Sequence, residues 1–392
     1  MHIHIVSLLF FNRLLKSSSL LLILIFSIIT GLPAIHDPAQ QQPPIKIGLL
    51  IPDSKSIAAS QGAELAIRKA NEKGGLNGTP FQLVVRSMEG PWGTGSKEAV
   101  SLIFEEKVWA ILGSHDGRNA HLVEQACTKA GVVFVSAWAS DPTLSQAFVP
   151  WFFNCVPTDI QQAEALFEEI YNARNFTRAA IISDNDYDSK QGLNSFLRYN
   201  RQAGKSEPLH FFFDNYSNEL AKLADQVNQS DINCIILYCR PAVSSEIIRI
   251  LLEKNIKRAL FGPLFLPNEN ELSVKEMQVF DNLLLVPSGK WPGSKNIVFR
   301  EEFEKTYNRM PGMVAVYSHD AMNLLIDAIR TAGENNREKI QKSISQINFE
   351  GITGTINFDK MGNRKGTFMI SKLKNGYPVA FNDTNLLQGD FY

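Results

Sequence analysis

The 392-residue chain has no H-E-x-x-H, no C-x-x-C and no G-x-S-x-G following a strand. Their absence excludes the zinc-protease helix, the paired-thiol redox or zinc site and the nucleophile elbow of the α/β hydrolases. Two glycine-bearing loops, Gly90-Pro91-Trp92-Gly93-Thr94-Gly95 and Gly113-Ser114-His115-Asp116-Gly117, match neither G-x-G-x-x-G nor the P-loop, so no nucleotide site is indicated. No cofactor or metal is expected. Charge of one sign is also missing: the net value is −1, which gives no pull towards nucleic acid or an anionic membrane surface. Cysteine is scarce. Cys127, Cys155, Cys234 and Cys239 follow no disulfide or metal spacing and lie in apolar stretches, as buried thiols would. A Ser–His–Asp reading of Ser140, His115 and Asp116 is disfavoured because adjacent His and Asp seldom point the acid at the imidazole.

Hydrophobic residues make up 44% and charged residues 20%, a soluble globular composition on a chain long enough for two cores. The N-terminus differs from the rest. Arg13 and Lys16 precede the apolar run Leu20 to Ile29, the pattern of a secretory signal. Ala34 is the candidate cleavage site, and Ile3 to Phe11 leaves an uncleaved membrane anchor open. No later run is apolar enough to span a membrane. Residues 35–44 read as a flexible lead.

From Ile45 onward, apolar runs of strand length alternate with segments of helical spacing. The pattern predicts parallel sheets covered on both faces. About ten strands are too many for one comfortable open sheet, so two lobes are expected. The late helices after Trp291 should return to the first. Val108 to Pro142 reads as strand, turn, helix, strand and turn, and places two turns at the same end of a sheet. That is where open α/β folds bind ligands. These turns, Ser114 to Gly117 and Ala137 to Pro142, are either two walls of a small-molecule site or ordinary caps and loops.

Beyond these elements the chain resembles a family. IKIGLLIP with QGAELAIRKANEKGGLNG, VWAILGS, AGVVFVSAWASDP, FFNCVPTD, AAIISDNDYDSKQGL, FREEFEKTYNRMP, YSHDAMNLLIDAIRTAG and FEGITGTINFDKMGNRKGTFMISKLKNG occur in family order. They are similar to the type I periplasmic solute-binding proteins, in the branch that serves branched-chain amino acids and amides through ABC importers. The resemblance implies an α/β clamshell of two doubly wound parallel-sheet lobes joined by three crossovers, without catalytic residues. It divides the chain into 1–34 (signal or anchor), 35–44 (lead), 45–157 plus 290–356 (first lobe) and 158–289 plus 357–392 (second lobe). It implies a periplasmic or otherwise extracytoplasmic monomer whose partners are a small solute and importer permease subunits. A sensor of the same fold is the alternative, and an exported hydrolase a weaker one.

The resemblance also assigns the cleft. The first turn brings His115, Asp116 and Gly117. The second brings Ser140 as the hydroxyl that grips a carboxylate, Ala139, and Trp138 where a small residue is usual. Tyr187 matches the family's cleft aromatic. Arg240 stands where the amino-acid binders have an aromatic residue, and Leu264 where they have the acid that holds the amino group. Two of these assignments keep a local alternative: Arg240 pairing with Asp184, Asp186 or Asp188, and Asp116 capping a helix. Trp138 either faces the cleft or packs within its lobe, Trp92 is a further candidate, and Tyr317 is expected in the core. The substitutions imply a solute with an anionic or carbonyl-rich end at Arg240 and a donor group at Asp116.

Overall fold

The computed structural model describes residues 43–146, 149–212, 214, 218–288, 291 and 293–379. The expected signal or anchor lies outside these residues, as do most of the lead and the end of the second lobe beyond 379.

The chain begins with β1 (Ile45–Ile51), an apolar strand buried along nearly its whole length. Helix α1 (Ile57–Glu72) follows, with Ala59, Ala63, Ala66 and Ala70 on its buried face. Then come β2 (Phe81–Ser87), α2 (Thr94–Phe104), β3 (Ala110–Gly113), α3 (Gly117–Ala130), β4 (Val133–Ser136), the single turn α4 (Thr143–Gln146) and β5 (Phe152–Asn154). The five strands make one parallel sheet in the order β2-β1-β3-β4-β5. Gly131, in the left-handed region at φ 63°, ends α3.

After the first crossing come α5 (Asp159–Phe167), β6 (Ala179–Ser183), α6 (Tyr187–Gln202), β7 (Leu209–Phe212), α7 (Asn218–Gln229), β8 (Cys234–Tyr238), α8 (Pro241–Glu253), β9 (Ala259–Phe261), α9 (Val274–Met277) and β10 (Leu284–Leu285). The chain crosses back into α10 (Ser294–Tyr307), α11 (Met313–Ala332), α12 (Arg337–Ser345) and the hairpin β11 (Phe349–Gly351)–β12 (Gly354–Ile356). It crosses a third time into β13 (Ser371–Lys374) and β14 (Tyr377–Val379). The second sheet runs β14-β13-β10-β9-β8-β6-β7. Helix α11 packs along α1. A Cβ on Gly62 would sit 2.2 Å from the Ala315 carbonyl, so only glycine lets these helices approach this closely. Tyr317 is fully buried on α11, and all four cysteines are buried and unpaired.

The strand–helix alternation reads through to two lobes with parallel sheets, and the departures have local causes. Helical spacing in the sequence runs on over 159–173, but the segment is α-helical only to Phe167 and continues as a π-helical stretch, Glu168–Ala173. Helix α6 starts at Tyr187, earlier than its apolar spacing indicates, because Asp186 caps it. Helix α8 starts at Pro241, a proline at the first helical position. Strands β13 and β14 form an antiparallel hairpin on an otherwise parallel sheet. Its two-residue turn is Asn375-Gly376, with φ of 51° and 74°, as a tight Asn-Gly hairpin requires.

One side chain ties the first crossing to the stretch that leads into the third. Arg364 is 2% exposed. Its Nη1 donates to the Cys155 carbonyl at 2.9 Å and to Thr353 Oγ1 at 3.1 Å. Its Nη2 donates to the carbonyls of Thr353 and Thr355 at 2.7 and 2.9 Å, and Nε to Thr355 at 3.2 Å. Asp320 on α11 accepts from the backbone N–H groups of Ile352 and Thr353 and from the Thr353 hydroxyl. Across the lobes, Glu269 accepts from Val314 and Ala315 N–H in the first turn of α11, and Asn270 Oδ1 from Ala58 N–H in α1.

Replacing Arg364 with methionine keeps the apolar stem but leaves buried carbonyls without donors. The Arg364→Met protein should lose about 3 kcal/mol of stability or more. Urea unfolding followed by circular dichroism measures this. A loss under about 1 kcal/mol, typical of a surface substitution, would show that the crossings do not depend on this group.

Candidate functional site

Both lobes direct the loops after their strands towards a shared seam. Asp116 follows β3 and caps α3: Oδ1 accepts from Asn119 N–H at 2.9 Å and Oδ2 from Asn119 Nδ2 at 2.7 Å. His115 turns inward. Its ring stacks near Phe134 at 6.0 Å, its Nδ1 lies 3.2 Å from the Asp116 carbonyl, and burial pulls its pKa down. Gly117 donates its N–H across the seam to Asp188 Oδ1 at 3.0 Å. A Cβ there would come within 2.7 Å of Asp141 Cβ, so the glycine permits the close approach.

In the second turn, Ala139 N–H bonds Ser136 Oγ, and Ser140 Oγ donates to Asp159 Oδ1 at 2.6 Å. Trp138 is 8% exposed and lies edge-on to Tyr317 at 6.2 Å. Tyr317 in turn meets Trp291 at 5.3 Å and accepts from the Ser288 hydroxyl. Trp138 thus belongs to a buried aromatic cluster, while Tyr187 bonds elsewhere. The Tyr187 hydroxyl donates to Asp141 Oδ2 at 2.7 Å. The same oxygen lies 3.1 Å from His121 Nε2.

Arg240 directs both its backbone N–H and its Nε to Asp184 Oδ2 at 3.0 Å, and its side chain is 44% exposed. Leu264 is buried and donates its N–H to Gln162 Oε1 at 2.8 Å. Trp92 is set apart: it is 64% exposed, with the Arg118 guanidinium 4.2 Å above its ring. Gly117, Ser140 and Tyr187 therefore meet through three carboxylates, Asp188, Asp159 and Asp141, that the sequence reading left off its site, and Asp116 acts on Asp188 through its charge. Asp141 was visible in the second turn itself. Asp159 stands at the start of α5 and Asp188 near the start of α6, positions indistinguishable from helix-terminal acids in sequence.

The electrostatics of the seam divide these carboxylates. Burial works against the Asp141 charge, but bonds from His121, Thr143 and Tyr187 hold it below the ordinary carboxylate range. Hydrogen bonds to Asp141 and Glu124 lift His121 to about 9 against the cost of burial. Asp159 is pushed up to about 8, chiefly by burial, with the Asp141 charge adding to it and the Ser140 bond opposing it. Asp188 is raised by burial and then by the charges of Asp116 and Asp159. Among the described residues, no group of three or more His, Cys, Asp or Glu side chains is arranged to hold a metal ion.

Two doubly wound lobes with ligand-end loops facing each other define a binding protein of the clamshell kind. The sequence profile of the periplasmic binding protein family matches residues 44–375, and the chain belongs to that family. A Leu/Ile/Val-binding protein homolog of Brucella suis is 19% identical over 349 residues, covering 86% of this chain and 92% of that protein. Among solved structures, the branched-chain amino acid transporter substrate-binding protein LivJ of Streptococcus pneumoniae, in complex with isoleucine, aligns with a TM-score of 0.74 at 20% identity. The alignment covers 86% of this chain and 98% of that one. A solute-binding protein of an R. palustris ABC transporter, in complex with benzoate, aligns with a TM-score of 0.73 at 20% identity, covering 86% and 95%. These relatives are substrate-binding proteins of transporters rather than enzymes.

The His121 and Asp159 shifts set a pH dependence. Each group holds a proton more tightly folded than unfolded. The His121 contribution is complete below about 6.5 and lost as pH rises through about 9; that of Asp159 is complete below 3.8 and lost by about 8. The thermal midpoint should therefore fall between pH 6.5 and 9, and His121→Gln should make the fall shallower. A midpoint that climbs over this window, or a variant with the wild-type slope, contradicts the assignment.

Proposed function

We propose that this chain is an extracytoplasmic solute-binding protein. It captures a small polar solute, amino-acid-like, amide or carboxylate in character, between its lobes and delivers it, as a monomer, to the permease subunits of an ABC importer. The observation that carries this reading is the seam itself: Gly117 to Asp188 and Tyr187 to Asp141 join loops from the ligand ends of both sheets. Family membership supports it. The isoleucine and benzoate of the aligned structures are small solutes of the proposed size class.

Within this reading, Gly117 and Ala139 offer backbone groups, Ser140 a hydroxyl, and Asp116 a carboxylate. Tyr187 and the part of the Trp138 ring that its aromatic cluster leaves uncovered supply aromatic surface on opposite lobes, and Arg240 supplies a guanidinium. Leu264 closes the end where the amino-acid binders keep an acid, so leucine, isoleucine and valine should be poor ligands. Export by the N-terminal segment places the protein where its solute is.

Denaturing the purified protein should release a small solute identifiable by mass spectrometry. A solute that binds only the folded chain stabilises it by RT ln(1 + [L]/Kd), about 2.7 kcal/mol at a hundredfold excess over Kd. The radius of gyration should shrink on saturation, as small-angle scattering measures. A protein that releases nothing, and whose melting temperature no small solute moves, does not bind solutes.

A further inference from the structure

Between α9, the β13–β14 hairpin and the link from α10 to α11 lies a cavity of about 220 Å³, and none of its lining residues belongs to the seam. Its walls are mainly apolar. Leu272, Met277 and Tyr377 come from the second lobe, and Met310 and Pro311 from the first. The Tyr377 hydroxyl is engaged by the Pro311 carbonyl. One strong donor is left over. Arg309 donates Nε to Gln61 Oε1 at 2.7 Å, but its Nη2 is buried and has no hydrogen-bond partner among the described residues. A buried donor of this kind is costly unless an acceptor reaches it. Arg309 lines the cavity, which is open space for such an acceptor.

Charge decides the kind of acceptor. Glu269 lines the same cavity, with its oxygens held by the N–H groups of Val314 and Ala315. Burial pushes its carboxyl up, against those bonds and the Arg309 charge. Among the described residues the lining holds no other charged side chain, so one guanidinium faces one carboxyl. A second carboxylate here would stand beside Glu269, and an ammonium beside Arg309. A neutral oxygen avoids both repulsions and still satisfies Nη2.

We propose that this cavity is a second ligand site, separate from the seam, for a small apolar molecule carrying one neutral carbonyl oxygen, as in a ketone or ester. The oxygen accepts from Arg309 Nη2, and the hydrocarbon part packs on Leu272, Met277, Met310 and Pro311. A mainly apolar wall with one placed polar group is the usual make-up of a small-molecule pocket. Because the walls come from both lobes, the molecule fits one angle between them better than another. Its occupancy and that angle are therefore linked.

The eight methionines supply the test, since Met277 and Met310 line the cavity and Met88 and Met369 do not. The full-length protein, isotope-labelled at its methionine methyls, is titrated with cyclohexanone, cyclohexanecarboxylate and cyclohexylamine and followed by nuclear magnetic resonance. The three compounds share a ring and differ in their polar group. Met277→Leu and Met310→Leu assign the two resonances. Cyclohexanone should shift both saturably at millimolar concentration, as suits so small a ligand, and leave Met88 and Met369 unmoved. The carboxylate and the amine should bind at least about tenfold more weakly, and Arg309→Met should weaken cyclohexanone by at least about tenfold. Should that variant fail to fold, Met310→Trp, which fills the cavity, should abolish the shift at Met277. Resonances of Met277 and Met310 that stay unmoved up to the solubility of cyclohexanone, equal binding of the carboxylate or the amine, or wild-type affinity in a folded variant overturns the proposal. Each of these outcomes leaves solute binding at the seam untouched.

Discussion

A single buried guanidinium ties two of the three connections between the lobes to each other. All five donor hydrogens of Arg364 find oxygens, on Cys155 in the first crossing and on Thr353 and Thr355 before the third. Among the described residues no carboxylate bonds it. The nearest compensation passes through Thr353, whose hydroxyl accepts from Arg364 and donates to Asp320, so two buried opposite charges share one small side chain. Lysine could not substitute: a compact ammonium has three donors and no planar fork. Cys155 follows β5 and begins the path into α5, so this group also sets where Asp159 enters the seam.

The seam itself has the opposite character. At the crossings every donor of Arg364 is satisfied, whereas the seam holds oxygens without partners and more negative than positive charge. An interface of this kind gains little from closing on itself. Its direct bonds, from Gly117 and Tyr187, engage acids that remain crowded by their own neighbours. The aromatic cluster of Trp138, Tyr317 and Trp291 ties the second turn to α11 and to the second crossing. That cluster stiffens the wall; the carboxylates give it chemical character.

Much of the architecture was legible in sequence because its determinants are local. Parallel strands buried on both faces read as apolar runs, and helices as stretches of regular spacing, so β1, β8 and β9 each coincide with an apolar run of strand length. The Asn375-Gly376 hairpin carried a signal too, but its short flanking strands offered little alternation to frame it. The site was less legible. Asp116 and Arg240 could each be a ligand contact or a local partner, and in the structure each has a neighbour in its own lobe: Asn119 for one, Asp184 for the other. The carboxylates that converge, Asp141, Asp159 and Asp188, lie far apart in sequence at helix ends, where acids are commonplace. Only the tertiary fold shows that they crowd one another.

The reach of Glu269 from the second lobe into the first turn of α11 bears on how the halves can part. Its two bonds, 3.0 and 2.8 Å, tolerate changes of only a few tenths of an ångström. The cost of losing them would be two bare N–H groups at a helix start. Tyr377, also from the second lobe, bonds the Pro311 carbonyl two residues before Met313 begins the helix. A swing of the halves that keeps these bonds must turn about a line passing close to Gly312, like a book opened along its spine. The pages that separate first are those farthest from that line.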